Sequence, residues 1–200
     1  MKISLVQENP VVGDIDGNAS MAKDYILESE SSGSELIVFS ELFITGYPPE
    51  DLLLRDDFLI SAKESVENLS SFIKKSKVLI GLPTMEEGKR YNSAALIDQS
   101  GIIQIYNKHV LPNNIEFDEK RYFSNGNSKN YFRIDDIKIG LSICEDIWDE
   151  GFIELQKENN LDLLVNLSAS PFTISKKKER IKLTTSTRIY GWSDRSHVIP

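Results

Sequence analysis

The chain has 200 residues, 40% hydrophobic and 27% charged, with a formal net charge of −8 and a single cysteine. That length suits one domain with a substantial core, and the acidic balance excludes a general nucleic-acid binder, which needs a basic face. A lone cysteine excludes an internal disulfide, "MKISLVQENP" lacks the apolar run of a signal peptide, and no window approaches the roughly 18 apolar residues of a membrane span, so a cytoplasmic location without membrane contact is expected.

In chain order, "ISLVQ" (3–7) reads as a strand. Asp16 or Asn18 is placed to cap a helix running to about Ser31, with Ala19, Ala22 and Ile26 on one face. "ELIVFS" (35–40) is a continuous apolar run, as expected of a strand covered on both faces. Ala62, Val66, Leu69 and Ile73 repeat at helical spacing, which predicts a helix from about Asp57 to Lys75. Strands follow at "KVLIGLP" (77–83), "YNSAALID" (91–98) and "IIQIYNK" (102–108), with a hairpin connection at Asp98–Gly101. "YFRIDDIKIGLSIC" (131–144) reads as two strand pieces about Asp135–Asp136. A short helix, about Asp149–Asn159, leads to the buried strand "LDLLVNLS" (161–168). A last helix begins near Pro171 and carries the charge run "SKKKER" (175–180). Hairpins mixed with crossovers predict an α/β fold with mixed sheets. No GxGxxG or GxxxxGK[ST] loop is present, and the two histidines and one cysteine make no metal-ligand spacing, so no metal is expected.

Three strand ends each deliver one chemically capable residue. "LIVFSEL" ends in Glu41, "IIQIYNKHVLPN" carries Lys108, and "IGLSICEDIW" carries Cys144. Ligand sites of open α/β sheets lie beyond the carboxyl ends of strands. Singly, each residue has a plainer reading: a core cysteine, a helix-start glutamate, a solvated lysine. Together they are a thiol, a base and a fixed positive charge, the parts of nucleophilic catalysis.

Four ordered strings carry a family resemblance: "SELFITGYPPEDLL" (40–53), "NKHVLPNNIEFDEKRYF" (107–123), "ICEDIW" (143–148) and "NLSASPF" (166–172). Over roughly residues 1–183 the chain resembles the nitrilase (carbon–nitrogen hydrolase) superfamily, and within it the glutaminase domain of glutamine-dependent NAD synthetases. The resemblance implies a nitrilase-like α-β-β-α sandwich. It implies Glu41 as general base, Lys108 as oxyanion stabiliser, Cys144 as nucleophile and Glu119 as an auxiliary glutamate. It places Tyr47, Phe117, Glu145, Trp148, Ser170 and Lys176 around a glutamine pocket, Glu145 also as a backbone oxyanion donor. At Lys176, a lysine keeps the charge of an arginine without its bidentate fork.

The implied reaction is amide hydrolysis through a thioester, with glutamine as substrate and no cofactor. ATP and magnesium would belong to a synthetase half, whose "SGGxDS"-type loop does not occur here. The expected partners are an ammonia-consuming NAD synthetase domain or subunit, and further copies of the chain in a homo-oligomer. The segment "TTSTRIYGWSDRSHVIP" (184–200) departs from the family pattern, so a sandwich incomplete at its C-terminus is expected. Two alternatives stand beside the glutaminase reading: an amidase of another small ω-amide, and a truncated remnant without activity.

Overall fold

The computed structural model describes residues 1–114, 117–127 and 130–170. Its elements, in order, are β1 (Ile3–Leu5), α1 (Ile15–Ser31), β2 (Leu36–Val38), α2 (Asp56–Leu69), β3 (Lys77–Glu86), β4 (Lys89–Asp98), β5 (Gly101–Asn107), β6 (Asn113–Asn114), β7 (Phe117–Asp118), β8 (Tyr131–Ile134), β9 (Ile137–Ile143), α3 (Glu150–Glu158) and β10 (Leu163–Leu167). Both larger sheets are mixed, as the alternation of hairpins and crossovers predicts. The first has the order β1-β2-β3-β4-β5, with β1, β2 and β3 parallel and β3, β4 and β5 antiparallel. The second has the order β10-β9-β8, with β10 parallel and β8 antiparallel to β9. β6 and β7 form a separate two-stranded pair. The expected hairpin is present, with Asp98 opposite Gly101.

The period-2 alternation of a strand sorts side chains to two faces. Ile37, Val78, Ile80, Leu82, Ala95 and Ile97 join Ala22 and Ile26 of α1 and Ala62, Val66 and Leu69 of α2 in one buried cluster. Their strand neighbours Leu36, Val38, Leu79, Ala94 and Leu96 point the other way, into a second cluster with Ile139, Leu141 and Ile143 of β9, Val165 and Leu167 of β10, and Phe152 and Ile153 of α3. The five-stranded sheet is thus the middle layer, with helices on one face and the second sheet on the other. Burying each large aliphatic side chain contributes about 1.5–3 kcal/mol.

Two helix boundaries differ from expectation. Asp14, not Asp16 or Asn18, caps α1, accepting from the Gly17 N–H at 3.0 Å. Asn18 is buried instead and bonds across to the chain: its amide donates to the Val11 and Ile44 carbonyls and its oxygen accepts from the Val11 N–H. The second helix stops at Leu69, tightens into a 3-10 turn over Ser70–Phe72, and leaves Ile73 extended yet buried in the helix-facing cluster. The apolar spacing marks a core stripe there and not the helix end. Just beyond, Glu30 near the end of α1 clamps the loop before β3. Its Oε1 accepts from the N–H groups of Lys74, Lys75 and Ser76 at 3.0, 3.1 and 3.0 Å, and from the Ser76 hydroxyl at 2.7 Å.

Among the described residues no helix is long and apolar enough to cross a membrane. The helix expected from Pro171, with its charge run, and the segment 184–200 lie outside the described residues.

Candidate active site

β2 ends at Val38, and the chain then turns so that Glu41 points inward, 1% exposed. The turn runs flush against β3 at Gly81. A Cβ there would sit 2.3 Å from the Leu42 nitrogen, 2.5 Å from the Ser40 oxygen and 2.8 Å from the Glu41 carbonyl carbon, so only glycine admits this path. Leu42, directly after Glu41, takes a left-handed φ of 47°. The Glu41 carboxylate meets three donors. Oε1 accepts from Lys108 Nζ at 2.8 Å and Asn92 Nδ2 at 2.9 Å; Oε2 accepts from the Ala169 N–H at 3.0 Å.

Lys108 follows β5 and is likewise 1% exposed. Its backbone N–H donates to the Asn92 carbonyl at 2.8 Å, so Asn92 holds both the lysine backbone and the glutamate side chain. Its Nζ also donates to Glu119 Oε1 at 2.9 Å, and the Tyr47 hydroxyl donates to that same oxygen at 3.0 Å. Burial alone would lower the lysine pKa; the charges of Glu41, Cys144 and Glu119 outweigh it and hold the ammonium above the ordinary lysine range. Glu119 sits in a 3-10 turn over Glu119–Arg121. Burial and the neighbouring Glu41 charge push it up to about 7, against the pull of Lys108 and Tyr47. Tyr47 is held above the ordinary phenol range by burial and by the charges of Glu41, Glu119 and Cys144. Two carboxylates therefore share one ammonium in a site closed to water, where an unpaired charge is very costly.

Cys144 begins a 3-10 turn, Cys144–Trp148, directly after β9, with a left-handed φ of 44°. For a residue with a β-carbon such a conformation costs of order 1–3 kcal/mol and persists only where surroundings enforce it. The thiol is buried, and Ser168 is among the groups that act on its pKa. Burial and the Glu41 charge push the thiol up, outweighing Lys108 and Ser168, so it rests protonated.

The turn is held from within by Asp146, which is fully buried. Asp146 Oδ2 accepts from the Ile143 N–H at 2.8 Å and the Tyr106 hydroxyl at 2.6 Å; Oδ1 accepts from the N–H groups of His109 and Val110 at 3.0 and 2.8 Å. Burial raises its pKa, against the hydrogen bonds from Tyr106, Ile143 and Val110. The His109 ring lies 5.3 Å from Tyr106 and stands edge-on to Phe152 at 5.5 Å.

The structure thus brings Glu41, Lys108 and Glu119 into direct contact and places Cys144 within their charge field. Of the residues expected around a pocket, Tyr47 touches this cluster, Glu145 and Ser170 are half-buried beside it in sequence, and Trp148 is 38% exposed. The Phe117 side chain and Lys176 lie outside the described residues. Asn92, Tyr106 and Asp146 were not anticipated. Their signal was modest: Asn92 interrupts a strand that is apolar further on, and Asp146 is the second of two acids after Cys144. Among the described residues no group of three or more His, Cys, Asp or Glu side chains is arranged to hold a metal ion.

The carbon-nitrogen hydrolase family model matches residues 2–191. Glutamine-dependent NAD(+) synthetase of Acinetobacter baylyi is 38% identical over 185 residues, covering 92% of this chain and 34% of that protein. The Thermotoga maritima counterpart is 40% identical over 183 residues, covering 88% and 31%. The chain therefore spans about a third of the length of the curated relatives it matches. The solved glutamine-dependent NAD+ synthetase of Acinetobacter baumannii superposes with a TM-score of 0.88 at 33% identity, over 94% of this chain and 36% of that one. An amidase of Nesterenkonia sp. AN1, solved after Michael addition of acrylamide at its active-site cysteine, superposes with a TM-score of 0.81 at 18% identity, over 94% of this chain and 76% of that one, a likeness of fold alone.

Proposed function

The chain belongs to the carbon–nitrogen hydrolase family, and from that premise we propose that it is a glutamine amidohydrolase that releases ammonia through a cysteine thioester, as the glutaminase part of an NAD-synthesising system. The observation that carries this reading is the buried contact of Glu41 with Lys108 at 2.8 Å beside the protonated Cys144 thiol, in a chain whose curated relatives are glutamine-dependent NAD synthetases.

Free cysteine with a pKa near ~8.5 is a weak nucleophile at neutral pH, and here burial weakens it further. Glu41 takes the thiol proton as sulfur attacks the side-chain amide carbon of glutamine. Lys108 and the backbone N–H of Glu145 stabilise the oxyanion of the tetrahedral intermediate, each such donor being worth about 2.7–4 kcal/mol of barrier. The C–N bond breaks, the nitrogen leaves as ammonia with the proton returned from Glu41, and a thioester remains on Cys144. Glu41 then deprotonates a water, which cleaves the thioester to glutamate and restores the thiol. Asn92 and Ala169 hold the Glu41 carboxylate through these successive proton transfers. Glu119 and Tyr47 fix the lysine on its far side. The proposed ammonia acceptor is a synthetase domain or subunit, in keeping with relatives that are named glutamine-dependent NAD(+) synthetases and are about three times as long as this chain.

The test is ammonia release from glutamine, compared with a panel of other small ω-amides, in the parent and in Cys144→Ala. Turnover of glutamine that Cys144→Ala abolishes supports the proposal. Rapid turnover of another amide with none of glutamine overturns the substrate assignment and favours an amidase of different specificity.

A further inference from the structure

Asp146 makes four hydrogen bonds, and their destinations are unusual for a residue inside a turn. One, from the Ile143 N–H, closes the turn that carries Cys144. Two, from His109 and Val110, come from the segment directly after Lys108. The fourth comes from Tyr106, two residues before Lys108. One carboxylate therefore ties the strand end bearing the thiol to both flanks of the lysine, across a separation of 36 to 40 residues.

Closing the turn needs only one of these bonds. The other three go to a different strand end, so turn formation does not account for them. All four partners are donors, and only an acceptor with two equivalent oxygens satisfies them at this length. An asparagine would turn its NH2 toward one of the two donor pairs and set donor against donor. The strained φ of 44° at Cys144 adjoins the Ile143 bond, so the same group holds the elbow and sets its distance from the lysine. None of the four bonds reaches Cys144 Sγ or Lys108 Nζ; Asp146 acts through the backbone of their neighbours.

We infer that Asp146 is a positioning residue, whose carboxylate fixes the Lys108 loop and the Cys144 turn in register. The inference rests on the reading of Glu41, Lys108 and Cys144 as the reacting groups. In its absence both groups persist but their spacing relaxes, and a misplacement of about 1 Å costs on the order of 100-fold in rate.

The experiment compares Asp146→Asn with Glu30→Gln, a change to the other carboxylate that accepts three backbone N–H groups and one hydroxyl, far along the chain from these segments. Three quantities are read in each: melting temperature, kcat and KM for glutamine, and the rate of Cys144 alkylation by iodoacetamide at a temperature where every variant is folded. Asp146→Asn is expected to lower kcat about 100-fold with KM within threefold, and to change the alkylation rate by at least tenfold. Glu30→Gln is expected to lower the melting temperature and leave kcat and alkylation within twofold. If Asp146→Asn melts lower yet retains kcat and alkylation within threefold of the parent, the carboxylate is a stability element only and the inference falls. Should Asp146→Asn not fold, Tyr106→Phe removes one donor and adds none; a fall in kcat of about fivefold at constant KM supports the inference, and no change overturns it. If the parent itself turns over no glutamine, the substrate assignment fails, while the alkylation comparison still decides the role of Asp146.

Discussion

Glu30 and Asp146 are two carboxylates with the same set of partners, three backbone N–H groups and one hydroxyl, in regions with opposite electrostatics. Glu30 is half-buried at the end of α1. Burial works against its charge there, but the Ser76 hydroxyl and the N–H groups of Lys74, Ser76 and Lys75 win, and its pKa falls to about 2. Asp146 is fully buried, and burial overrides the same kind of donors and raises its pKa. The donors determine where each carboxylate sits. The surroundings determine what its charge costs. At the rim the result is a clamp that adds stability; between β5 and β9 burial penalises the charge of a carboxylate that ties two strand ends together.

The largest expected effect lies in the site. Lys108→Met leaves Glu41 and Glu119 facing each other without their cation, and glutamine turnover should fall by about 10³. Stability in urea should fall by about 3–5 kcal/mol, the usual result of breaking a buried pair from one side. A folded Lys108→Met that keeps more than a tenth of parental activity would remove the electrostatic half of the comparison. The Asp146→Asn change ranks next. Gly81→Ala comes third: its Cβ meets the Ser40–Leu42 backbone at 2.3–2.8 Å, so the Glu41 turn must shift. The expected outcome is a loss of about 1–3 kcal/mol by overpacking and at least a tenfold lower kcat, read from denaturation and steady-state kinetics.

The smallest effects belong to the rim. Glu30→Gln should cost about 1 kcal/mol in its half-buried surroundings and leave kcat unchanged. Its pH signature is distinct. The folded-state pKa, about 2, lies below the ordinary value of 4.5. The stabilisation is therefore complete above pH 4.5 and disappears as pH falls toward 2. The stability gap between parent and Glu30→Gln should close over that window in an acid titration of the melting temperature. A gap that stays constant from pH 6 to 2 would show that the clamp owes nothing to its charge.

Much of the fold was legible because period and burial speak together. The helix-facing stripe Ala62, Val66 and Leu69 and the continuous run "LIV" of β2 each correspond to one face or two faces of the core. What local pattern could not show was where a stripe leaves its helix: Ile73 stays in the core after the backbone has become extended. The α1 cap was misplaced for a related reason, since Asn18 is drawn inward by the carbonyls of Val11 and Ile44 and only Asp14 is left free to cap. In the site, Glu41, Lys108 and Cys144 stood out as chemically capable residues at the ends of apolar strands, whereas Glu119, in a short 3-10 turn, was marked only by the family resemblance. Asn92 and Asp146 did not, because their partners, the Glu41 carboxylate and Lys108 backbone for one and three backbone N–H groups and the Tyr106 hydroxyl for the other, are brought close only by the sheet order and by two turns with left-handed residues.

One contact has a consequence in time. The Ala169 N–H that completes the Glu41 carboxylate's donor set comes from 128 residues further along the chain. At synthesis rates of about 5–20 residues per second, Ala169 is added roughly 6–26 s after Glu41. Throughout that interval the nascent polypeptide carries its glutamate without the last of these donors, so the donor set of Glu41 is completed only late in translation, when the strand that brings Ala169 has been laid beside β9.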